Sequence, residues 1–110
     1  MSQLGSDYWK PVNFNGPLPR IAAVRRTWLE IHEDGLRLLR SSARASARSQ
    51  RHALALYEEM LADIRAVIPP AERSDRAAYN EANVRMVLAI QATRSAFERE
   101  GAGRICDFAI

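Results

Sequence analysis

Between Pro19 and Pro69 the chain contains no proline. Proline removes a backbone donor and clashes with the preceding turn, so its absence leaves an α-helix open from Arg20 to Ile68. The apolar residues follow that period. Ile21, Val24, Trp28, Ile31 and Leu38 recur at helical steps, as do Leu54, Tyr57, Leu61, Ile64 and Ile68. At 100° per residue the two faces differ by only about 60°. One reading is therefore a continuous helix about 70 Å long, too long for 110 residues to cover at both ends, which points to an antiparallel dimer or a partner chain. Two places offer a break. Asp34 and Gly35 form a turn-prone pair, and the would-be core positions of residues 41–53 hold Ser42, Ser46, Ser49 and Ala53, which provide little buried area.

The ends are punctuated differently. Gly5, Pro11, Gly16, Pro17 and Pro19 interrupt any period over residues 1–19, which read as an extended arm. That arm carries Tyr8, Trp9 and Phe14, more apolar surface than a solvated tail needs. It is expected to pack across its own helices, or to lie on a partner protein as a recognition strap. Pro69 and Pro70 are expected to end the second helical segment. Ser74 or Asp75 then caps a last helix whose apolar face is Tyr79, Ala82, Met86, Val87, Ile90, Thr93 and Phe97, stopping at Gly101 and Gly103. A short apolar extension with Ile105, Cys106, Phe108 and Ile110 closes the chain. The expected fold is all-α: a small bundle of two long or three helices, over about 20–40, 43–68 and 74–100, the first two separate or continuous.

The charge balance is less informative than its placement. Of the sixteen cationic residues only Lys10 is lysine, and the formal net charge is +3. That arginine bias, with abundant alanine, matches a GC-rich coding sequence and does not by itself indicate nucleic acid. Arg37, Arg40, Arg44, Arg48 and Arg51, however, fall within about 80° of arc on a continuous helix. No carboxylate occurs between Asp34 and Glu58. Such a stripe can track phosphates or an acidic surface, or pair with the carboxylates of another helix. The usual companions of nucleic-acid binding, a helix-turn-helix glycine turn or a zinc-ligand set, are absent from the sequence.

Catalytic and metal chemistry find little purchase. His32 sits in the run Glu30-Ile31-His32-Glu33-Asp34, but the carboxylate three residues before a bundle-type metal histidine is replaced by Leu29 there and by Ser49 before His52. Glu33 and Asp34 read as ordinary exposed charges. Cys106 beside Arg104 reads as a small apolar residue, and no glycine-rich loop follows a strand. No cofactor or metal is expected. A lone cysteine, no leader and no run near the roughly 20 apolar residues of a membrane span lead to the expectation of a cytoplasmic, non-membrane protein.

One resemblance touches an enzyme. The segment Leu38-Leu39-Arg40 resembles the leucine-rich, arginine-ended stretch in the first helix of all-helical chorismate mutases. It implies a dimeric three-helix enzyme whose cations hold substrate carboxylates. The lysine that family uses further along the helix is missing, since Lys10 is the only one, and no catalytic residue is carried over. The reading preferred on balance is a non-enzymatic helical interaction or regulatory protein, such as an anti-activator, adaptor or chaperone, acting as a homodimer on an unidentified protein. Tyr8, Trp9, Phe14, Phe108 and Ile110 are its expected contacts. The alternatives are a nucleic-acid accessory protein using the arginine stripe and a chorismate-mutase type enzyme.

Overall fold

The computed structural model describes residues 16–41 and 48–99, which form a small all-α bundle of three helices with no strand among the described residues. Helix α1 spans Leu18–Arg40, α2 spans Arg48–Glu72 and α3 spans Arg76–Arg99. Helix α2 is central and packs against both others. The helices fold back on one another, so the continuous 20–68 rod does not form. Helix α1 ends at Arg40 and α2 begins at Arg48, while Asp34 and Gly35 stay inside α1. No helix among the described residues is long and apolar enough to cross a membrane.

Helix α1 begins earlier than the expected Arg20. Pro17, with φ −58° and ψ 144°, is its N-cap, and the Pro17 carbonyl accepts from Arg20 N–H at 2.9 Å and Ile21 N–H at 3.2 Å. Pro19 lies in the first turn, where its missing N–H has no carbonyl to serve. Leu18 and Pro19 thus belong to the helix. At the other end, Ser41 donates its N–H to Arg37 O at 3.2 Å and its hydroxyl to Leu38 O at 2.9 Å. Arg37 and Arg40 occupy the last turn, where cations complement the helix dipole.

Pro69 and Pro70 do not end α2, which continues to Glu72. The two prolines deprive only the carbonyls of Arg65 and Ala66 of their helical donors. Both of those residues are exposed, so water can reach the groups. Termination comes from a full Schellman motif: Ser74 N–H donates to Ala71 O at 3.2 Å and Asp75 N–H to Pro70 O at 2.9 Å. Ser74 has φ 58°, a conformation that favours glycine. Asp75 then caps α3, its Oδ1 accepting from Ala78 N–H at 3.2 Å. The helix starts at Arg76, directly after Asp75, one of the two expected caps. Ser74→Gly is expected to raise the unfolding free energy by roughly 0.5–1 kcal/mol, since no Cβ then opposes the left-handed turn. Urea unfolding followed by circular dichroism checks it; a loss of stability would refute it.

The buried face of α2 includes all five residues read from the sequence, together with Ala53, Met60, Val67 and Ala71. That of α3 contains Tyr79, Ala82, Met86, Ile90, Thr93 and Phe97 as expected, with Val87 half-buried. Helix α1 is different. Its buried residues are Leu18, Ile21, Ala22, Arg25, Trp28, Leu29, His32, Leu36 and Leu39, whereas Ile31 and Leu38 are exposed and Val24 is half-buried. The true face is rotated from the expected one because Arg25 and His32 lie in the same seven-residue column as Leu18 and Leu39.

Candidate functional site

The interior is crossed by a chain of rings drawn from all three helices. Trp28 meets His32 edge-on with centroids 4.3 Å apart, His32 lies 5.7 Å from Tyr57, and Tyr57 meets Phe97 edge-on at 6.0 Å. Edge-to-face contacts of this kind match the positive rim of one ring to the negative face of the next. A hydrogen bond of 2.8 Å joins His32 Nδ1 to Tyr57 Oη, tying α1 to α2 inside the core. The Thr93 hydroxyl ties α3 to α2, lying 3.1 Å from Leu56 O and 2.8 Å from Ala89 O. Arg25 is only 8% exposed and stands two turns before His32 on the same column. The sequence reading weighed His32 only as a metal ligand; its place in the column of Leu18, Arg25 and Leu39 marks it as a core residue.

Two carboxylates of the Glu30-Ile31-His32-Glu33-Asp34 run are engaged by arginines. Glu33 accepts from Arg65 of α2 at 2.8 Å, Asp34 pairs with Arg37, and His52 is exposed. No group of three or more metal-type ligands occurs among the described residues.

The arginine stripe is divided by the fold. Arg37 and Arg40 end α1, and Arg51 lies exposed near the start of α2. Arg44 and the side chain of Arg48 lie outside what is described. Arg37 pairs within its helix with Asp34, and Arg40 pairs across to Glu58. Carboxylates thus hold two of the stripe's members, one of them from another helix. In the segment that resembles the chorismate mutases, Leu38 is exposed and Arg40 is occupied at the surface. Tyr8, Trp9, Phe14, Phe108 and Ile110, the expected partner contacts, lie outside the described residues, as does Cys106.

The described surface also presents four exposed large apolar residues. Ile31 is 49% exposed and Leu38 60%, and on α3 Val84 is 58% and Leu88 59%. Val24, Ile31 and Leu38 are seven residues apart, so they form one column along the flank of α1. About 160° around the same helix lies a column of charges: Arg26, Glu33 and Arg40, paired with Glu72, Arg65 and Glu58 of α2. One flank of α1 therefore carries ion pairs with its neighbour, and the other leaves Ile31 and Leu38 exposed beside a half-buried Val24. Comparison with protein-family models, with curated proteins and with solved structures finds no match for this chain.

Proposed function

We propose that this protein works by contact with other proteins, as a homodimeric helical regulator or adaptor rather than as an enzyme. The observation that carries the reading is the column of Val24, Ile31 and Leu38 on α1. Single exposed apolar residues are common and need no explanation. A column aligned over two heptads, on a helix whose opposite flank carries ion pairs with its neighbour, is the pattern by which one amphipathic helix receives another. Burying a side chain of this size contributes about 1.5–3 kcal/mol. Two copies meeting through α1 would cover the column on each chain, and Val84 and Leu88 on α3 would remain as a second patch for the regulated protein. The aromatic residues of the two chain ends would add to that second contact.

The test is sedimentation equilibrium at micromolar concentration. The unaltered chain is expected near twice its 12.4 kDa mass, and the double variant Ile31→Glu, Leu38→Glu near the single mass with its helical circular dichroism intact. A monomer across the whole concentration range, or a dimer that survives the double variant, would defeat the proposal.

A further inference from the structure

Three ion pairs join α1 to α2: Arg26 with Glu72 at 2.5 Å, Glu33 with Arg65 at 2.8 Å, and Arg40 with Glu58. They step by seven residues on both helices, and their polarity alternates from one to the next. Individually they are half-exposed pairs of the kind that adds little stability. Their arrangement, however, answers a problem posed by the core behind them. On α2 the buried residues other than Pro70 fall into three seven-residue columns, Ala53-Met60-Val67, Leu54-Leu61-Ile68 and Gln50-Tyr57-Ile64-Ala71. On α1 they include Ala22-Leu29-Leu36 and Leu18-Arg25-His32-Leu39. A slide by one heptad would keep mostly apolar residues of one seam facing apolar residues of the other, though not their sizes, since Trp28 would move to the place of Ile21 or Gly35 and Tyr57 to that of Ile64 or Gln50. The charges do not repeat that way. Sliding by seven sets Arg26 against Arg65 and Glu33 against Glu58 in one direction, and Glu33 against Glu72 and Arg40 against Arg65 in the other.

We infer that the alternating ladder acts together with the packing to set the register in which α1 lies antiparallel on α2. Like charges at slipped positions exclude the competing alignments, which is how charged flanks choose among coiled-coil partners. The buried His32–Tyr57 hydrogen bond is a second mark of register in one direction, since sliding by seven sets His32 against the hydrocarbon of Ile64, whereas the opposite slide sets it against Gln50, whose amide also hydrogen-bonds.

The experiment measures the distance between spin labels at Glu30→Cys and Ala66→Cys, exposed positions outside the ladder, in a Cys106→Ser chain. Tyr57→Phe is included throughout so that the ladder acts without the buried hydrogen bond. One variant reverses α1 alone, by Arg26→Glu, Glu33→Arg and Arg40→Glu; the other adds Glu58→Arg, Arg65→Glu and Glu72→Arg, restoring every pair with inverted polarity. The first meets like charges in the native register and opposite charges after a slide of one heptad. It is expected to lose the single native distance, with components displaced by about 10 Å along the axis or with loss of helical order. The fully reversed chain is expected to keep a single distance close to that of the Tyr57→Phe chain. Equal behaviour of the two variants, whether both ordered or both unfolded, overturns the inference.

Discussion

Tyr57→Ala is expected to lower the unfolding free energy by about 3–5 kcal/mol, the range for removing a large buried ring. Tyr57 is fully buried on the central helix and touches its neighbours on both sides, His32 through the hydroxyl and Phe97 through the ring. Deleting it opens a cavity where all three helices meet, between His32 and Phe97. For a domain whose total stability is of order 5–15 kcal/mol, much of the margin goes. Tyr57→Phe separates the two contributions. It keeps the ring and removes the hydroxyl, so His32 loses that hydrogen bond inside the core at a cost of about 1–3 kcal/mol. Urea unfolding of the three proteins should rank them native, phenylalanine, alanine. A phenylalanine variant as stable as the native chain would mean that the His32–Tyr57 bond contributes nothing to folding.

The same residues show why one helix was harder to read than the others. On α2 and α3 the most apolar column is also the buried one, so hydrophobic period alone finds Leu54, Tyr57, Leu61 and Ile64, and later Met86, Ile90 and Phe97. On α1 two columns compete. Val24-Ile31-Leu38 is the more apolar, yet Arg25-His32-Leu39 is buried. The deciding signal lies on either side: Ile21 and Trp28 flank the second column in one direction and Ala22, Leu29 and Leu36 in the other. Only a face centred on Arg25 and His32 buries both flanks at once. A reading that scores residues singly puts arginine and histidine outside and turns the helix too far.

The turn and the ladder were hidden for other reasons. The pair Pro69-Pro70 is a strong stop signal when its lost donors are counted alone, but the Schellman bonds from Ser74 and Asp75 lie downstream and are not visible in the prolines themselves. Ion pairs between residues 46, 32 and 18 positions apart exist only once the antiparallel register is known. Their seven-residue spacing on each helix was present in the sequence, but charge alternation acquires meaning only beside its complement. The arginine stripe illustrates the converse. Its narrow arc belongs to a continuous helix, whereas Arg37 and Arg40 lie on α1 and Arg51 on α2, two helices that pack against each other.

Adjacent leucines on α1 turn the rotated face into a measurement. Leu39 is buried at 3% exposure in the column of Leu18 and His32, whereas Leu38 is 60% exposed in the outer column. Leu39→Ala is expected to destabilise the fold by about 2–5 kcal/mol, because it removes packed methyl groups and leaves a cavity against α2. Leu38→Ala should stay within about 0.5 kcal/mol, as surface substitutions usually do. The comparison has to be made below the concentration at which the chain associates, since Leu38 belongs to the proposed dimer contact and dissociation would otherwise be counted as unfolding. Under that condition the two variants differ by several kcal/mol although their sites are neighbours of identical chemistry. Equal losses at both positions would show that the outer column is also packed within one chain, which would remove the surface on which the dimer proposal rests. A reversed order would restore the face that hydrophobicity alone selects, with Ile31 and Leu38 inside and His32 turned toward solvent.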